Sequence, residues 1–94
     1  LHTGLYSELL ADGHAALAER ELAALQAGAE LAASLGLEVH AGHGLTYDNV
    51  EPIAAIPELA ELNIGHFLIG EAIFRGLEPA IEEMRRRMDL ARDR

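Results

Sequence analysis

The feature that most restricts the fold is an alternation: short apolar segments ending in histidine and glycine are separated by stretches with a helical period. Leu1-His2-Thr3-Gly4 reads as the end of a strand entering a loop. From Ala15 to Leu35, Leu17, Leu22, Leu25, Ala29 and Ala32 recur at three- to five-residue steps. This predicts a helix that starts near Asp12 or Gly13 and is capped by Gly36. Leu37 to Ala41, centred on Val39, predicts a strand running into Gly42-His43-Gly44. Asn49 to Ile56 suits a helix with Pro52 in its first turn and Pro57 at its end. Leu62 to Ile64 predicts another strand ending at Gly65-His66, then a short helix over Phe67 to Phe74 broken by Gly76. Pro79 opens a last helix, in which Leu77, Ile81, Met84 and Met88 form one apolar stripe, expected to be buried.

Strands alternating with helices imply parallel βαβ units, and a parallel sheet needs cover on both faces. Three strands cannot close a barrel, and as an open sheet they leave edges exposed. Together with a first residue that is not methionine, this leads us to expect one segment, residues 1–94, forming the C-terminal portion of a larger α/β protein. A (β/α)₈ TIM barrel is favoured over a doubly wound sheet. A short extra helix after the last strand, preceded by glycine, is a common phosphate cradle in barrels.

Composition removes several functions. The net charge is −9, and the first 74 residues hold only Arg20 against eleven acids, which argues against a nucleic-acid surface. The Arg85 to Arg87 run shares its helix with Glu82, Glu83 and Asp89 and reads mainly as a solvated face or a subunit contact, ahead of an RNA patch. Without cysteine there is no disulfide, thiolate nucleophile or cysteine-ligated metal in this segment. Without lysine there is no Schiff base to an enzyme amine. Apolar runs fall short of the roughly 18 residues of a membrane span. A cytoplasmic protein with no membrane partner is expected.

The three strand ends each join a histidine to a glycine: His2 with Gly4, His43 with Gly42 and Gly44, and His66 with Gly65. One such pair is ordinary turn chemistry, because glycine is common after strands and a lone histidine is usually structural. Three at one end of a sheet point to a site. Glycine lets the backbone approach a ligand, and imidazole can exchange a proton near neutral pH.

The strings Leu-Gly-Leu-Glu-Val-His-Ala-Gly-His-Gly-Leu-Thr-Tyr-Asp-Asn-Val (Leu35 to Val50) and Glu-Leu-Asn-Ile-Gly-His-Phe-Leu-Ile-Gly-Glu-Ala (Glu61 to Ala72), with His-Thr-Gly at the start, closely resemble the pyridoxine 5′-phosphate synthase family. The resemblance covers essentially all 94 residues, with length variation around Ser7 to Ala15. It implies the ends of the sixth, seventh and eighth strands of a barrel. The implied reaction condenses 1-deoxy-D-xylulose 5-phosphate with 3-amino-2-oxopropyl phosphate, giving pyridoxine 5′-phosphate, phosphate and water in vitamin B6 biosynthesis. No metal or organic cofactor is implied, and a homo-oligomer is, an octamer in the family. Position by position, His43 matches the catalytic proton donor. Gly44, and Gly65 with His66, match contacts to the amino-ketone phosphate.

His40 stands where the family usually has asparagine, Asp48 where it often has histidine, and Glu71 where a basic residue is common. In a regular strand His40 points to the opposite face from His43. The family's transition-state glutamate lies immediately before the Leu-His-Thr-Gly segment and other acids and bases come from earlier strands, so the isolated 94-residue piece is expected to be inactive. Two rivals carry expectations of their own. A metal-dependent barrel hydrolase would use His2, His40, His43 and His66 as ligands, although the His40 to His43 spacing does not suit two ligands on one strand face. A non-catalytic fragment would instead self-associate through its sheet edges and the Leu77 to Met88 stripe.

Overall fold

The computed structural model describes residues 1–93. Its elements are α1 (Gly4–Ala11), α2 (Ala15–Ser34), β1 (Val39–Gly42), α3 (Val50–Ala54), β2 (Leu59–Asn63), α4 (His66–Arg75) and α5 (Leu77–Arg92). The chain is mixed α/β. β1 and β2 pair in parallel, with Val39 opposite Leu59 and Gly42 opposite Asn63 and an irregularity between Val39 and His40. His2 bridges to Gly42, also in parallel. The Thr3 N–H donates to the Gly42 carbonyl at 2.9 Å and the Gly42 N–H to the Leu1 carbonyl at 3.1 Å. Three segment ends therefore lie side by side and point the same way.

One face of this sheet is covered. Val39 and Ala41 alternate inward with Leu59 and join Leu25 and Ala29 of α2, Val50 and Ile53 of α3, Ile56, and Met84 of α5 in a continuous apolar core. Alanine at 18, 29 and 80 brings the helices close to their neighbours, and all three are fully buried. This is how a chain poor in aromatics fills its interior. The expected cap at Gly36 is present: with φ +81 it lets its own N–H reach the Ala33 carbonyl and that of Leu37 reach the Ala32 carbonyl, which ends α2.

Three sequence expectations change. The segment after Gly4, expected to be a loop, is helix α1, ended by Gly13 at φ +79; Tyr6 is buried and Leu9 half-buried on its inner side. The second strand begins at Leu59 rather than Leu62, because buried Leu59 pairs with Val39 before the exposed Ala60 and Glu61. The α5 stripe is not buried as one row. Met84 is 2% exposed and Met88 is half-buried, but Leu77 and Ile81 are 51% and 48% exposed, and the residues that face inward with Met84 are Ala80 and Ala91. Small side chains let α5 sit close to α3, and that contact turns Leu77 and Ile81 outward. No helix among the described residues is long and apolar enough to cross a membrane.

Candidate active site at the strand ends

The loop after β1 is held by donors on distant residues. Thr3, completely buried, gives its N–H to the Gly42 carbonyl and its hydroxyl to the His43 carbonyl at 2.6 Å. The Asn49 amide nitrogen donates to the Gly44 carbonyl at 3.1 Å, and its oxygen accepts from the Thr46 N–H at 2.8 Å. Three consecutive carbonyls are thus each met by a donor. Tyr6 fixes Asn49 in turn by donating its hydroxyl to the Asn49 carbonyl at 2.8 Å. Both Thr3 and Asn49 stand at helix N-caps, yet neither side chain caps its helix, because both turn to this loop.

These bonds keep His43 at φ +100, a left-handed conformation that a residue with a Cβ adopts only at a cost. Gly44 follows at φ +76, and a Cβ there would come within 2.9 Å of the Ser7 Cβ. A Cβ on Gly42 would lie 2.5 Å from the Asn63 carbonyl oxygen, so glycine is what lets β1 approach β2 here. The His43 ring stacks on His2, with centroids 4.3 Å apart and planes 26° from parallel.

The other wall follows β2. Gly65 leads into α4, whose first turn closes when the Ile69 N–H meets the Gly65 carbonyl at 3.0 Å. The N–H groups ahead of it have no acceptor inside the helix. Phe67 packs edge-on against Tyr47, with centroids 4.6 Å apart. Tyr47 is tied to α5, its hydroxyl donating to the Ala80 carbonyl at 3.0 Å and its own carbonyl accepting from Arg87 at 2.9 Å. The Arg87 guanidinium also lies 5.2 Å from the Tyr47 ring centre, a cation–π distance.

Between the two walls lies a cleft of about 470 Å³ lined by His43, Gly44, Leu45, Thr46, Ile64, Gly65, His66 and Phe67. The four residues that the sequence reading selected, His43, Gly44, Gly65 and His66, face one space. A smaller cleft of about 190 Å³ between β2 and α5 is lined by none of them.

His40 is elsewhere. Its ring lies on the sheet face away from the helices, with Nε2 2.7 Å from Glu38 Oε1 and Nδ1 3.0 Å from Glu61 Oε2. The hydrogen bond to Glu38 and then the charge of Glu61 raise its pKa above the ordinary imidazole value. The four histidines of the metal rival therefore do not converge: His2 and His43 stack face to face, and His40 is engaged by carboxylates. Among the described residues, no group of three or more histidine, aspartate or glutamate side chains is placed to hold a metal ion. Glu71 forms a 3.7 Å ion pair with Arg75 one turn on, and Asp48 is exposed.

The sequence reading missed the supports: Thr3, Asn49, Tyr47 and Arg87. Of the Arg85 to Arg87 run, Arg85 pairs with Asp89 and Arg86 with Glu83, as a solvated face would, while Arg87 turns inward. Glu83 accepts from both Arg86 and Arg87, and those bonds hold its carboxyl at a pKa of about 2, below the ordinary 4.5.

The parallel α/β chain thus gathers two glycine–histidine turns and a helix N-terminus around one cleft. Residues 1–90 match the family described as pyridoxal phosphate biosynthesis protein PdxJ, and the chain belongs to that family. It is 70% identical over 93 residues, 99% of its length, to a Cereibacter sphaeroides protein named pyridoxine 5′-phosphate synthase. Proteins of the same name in Ruegeria pomeroyi and Caulobacter vibrioides are 68% and 62% identical over 92 residues, 98% of this chain. The chain spans 36–37% of the length of these relatives.

Proposed function

We propose that these residues form the C-terminal portion of a (β/α)₈ barrel whose complete form is a pyridoxine 5′-phosphate synthase, a transferase that joins 1-deoxy-D-xylulose 5-phosphate to 3-amino-2-oxopropyl phosphate. The observation that carries this is the shared cleft. His43 and Gly44 at the end of β1 face Gly65 and His66 at the end of β2, within a family whose relatives bear that name.

In this reading Gly44, Gly65 and His66 hold the phosphate of the amino ketone. The first N–H groups of α4 offer donors, and the positive end of the helix dipole favours the dianion, so a site can form in an acidic chain without lysine. The substrate brings its own amine, so the imine needs no enzyme nitrogen. The protein's task is to move protons through the dehydrations. His43 donates a ring proton to a departing hydroxyl, which leaves as water, and recovers the proton in a later step. Its fixed backbone sets where the ring starts relative to the phosphate, one part of the positioning that proton transfer requires.

The remaining acids and bases belong to earlier strands of the barrel. A cytoplasmic homo-oligomer is part of the same proposal; the apolar Ile69, Ile73 and Phe74 that α4 leaves exposed support the association alone. The test is to supply both substrates to the complete protein and, separately, to the 94-residue piece, following pyridoxine 5′-phosphate. The complete protein should make product and the piece none. Product from the piece alone would refute the division of the site between this segment and earlier strands.

A further inference from the structure

We infer that His2 is a positioning residue for His43, an inference that rests on the synthase reading. The backbone of His43 is fixed by Thr3 and Asn49, but those bonds end at carbonyl groups and do not set the ring. Among the described residues the His43 imidazole accepts and donates no hydrogen bond, and its one ring contact is the stack on His2 at 4.3 Å. His43 lines the cleft and His2 does not, so His2 stands behind it as a backing plate.

His2 is itself held. The Gly4 N–H donates to its Nδ1 at 3.2 Å, which requires the lone pair on that nitrogen and leaves the neutral ring's proton on Nε2. The main chain of His2 is bridged to Gly42, the residue before His43, so the two rings grow from neighbouring strands in a fixed register. Gly4 completes the fit. A Cβ there would come within 2.5 Å of His2 Cε1 and 2.8 Å of His43 Cδ2, so the absent side chain is what admits both rings. A proton donor with two free torsions loses rate when its ring wanders, and a flat partner at stacking distance restricts both torsions without occupying either ring nitrogen.

Two substitutions separate the ring from its hydrogen bond. His2→Asn keeps an oxygen able to accept from the N–H two residues on, as in an Asx turn, but removes the stack. His2→Phe keeps a ring in the stack and removes the acceptor. In the complete protein, kcat should fall roughly ten- to a hundredfold in His2→Asn with KM within about twofold, and His2→Phe should restore most of it. The ring-proton resonances of His43 should carry a ring-current shift in wild type and His2→Phe that is absent in His2→Asn. Wild-type turnover in a folded His2→Asn protein would overturn the inference and leave the synthase reading standing. So would an equal loss in both variants with the His43 shift unchanged in His2→Phe. A wild type that makes no product fails the synthase reading and removes the inference with it.

Discussion

The wall of the cleft after β1 and the wall after β2 are built in opposite ways. In the first, three successive carbonyls are met by donors from Thr3 and Asn49, and a Cβ on Gly42 or Gly44 would strike Asn63 or Ser7. In the second, a Cβ on Gly65 or Gly70 would meet nothing within 4 Å, and α4 has no buried residue, its Phe74 being 88% exposed. The difference separates two tasks. On the proposed reading the side that carries the proton donor needs its ring at one place, and the fold over-determines the main chain from which that ring grows. The side suited to an anion offers main-chain N–H groups, whose direction the helix already sets.

The contrast is open to attack at several points. The largest effect is expected at Gly42 and Gly44. Gly44→Ala places a Cβ at φ +76 against Ser7, and Gly42→Ala drives one into the Asn63 carbonyl. Each should cost about 1 to 3 kcal/mol in urea unfolding of the complete protein. Thr3→Val comes next. It removes the hydroxyl that meets the His43 carbonyl and should cost about 1 to 2 kcal/mol, with a larger fall in kcat than in substrate affinity. Gly65→Ala, on the loose wall, should shift stability by less than about 0.5 kcal/mol. If Gly65→Ala proves as damaging to folding as Gly44→Ala, the two walls are not built differently.

The smallest effect concerns the latch from α5. Glu83 has a folded pKa depressed to about 2 by its bonds from Arg86 and Arg87, so its contribution is present above the ordinary carboxyl value of 4.5 and is lost as pH falls toward 2. The stability gap between wild type and Glu83→Gln should therefore be constant above about pH 4.5 and close below it. A gap that persists unchanged to pH 2 would contradict the ion-pair geometry.

Much of this arrangement was legible in the residues. The strand-end glycines and histidines marked His43, Gly44, Gly65 and His66, because a chain that turns sharply after a strand writes the turn locally. Gly36 as a helix cap was readable for the same reason. Helix α1 was not, since eight residues between two glycines look like a loop until Tyr6 finds Asn49 across 43 positions. The roles of Thr3 and Arg87 depend on partners 40 residues away, and no local pattern carries them. The α5 stripe misled because apolar period fixes that a helix has an inner face, whereas the neighbour chooses which residues occupy it. Ala80, fully buried, took the place that Leu77 and Ile81 were expected to fill.

The most direct measurement compares wild type with His43→Ala in the complete protein, supplied with both phosphorylated substrates, following pyridoxine 5′-phosphate and released phosphate. Wild type should turn over and the variant should lose about a hundred- to ten-thousandfold in kcat while still binding substrate. Undiminished turnover in the variant would contradict the assignment of His43 as proton donor.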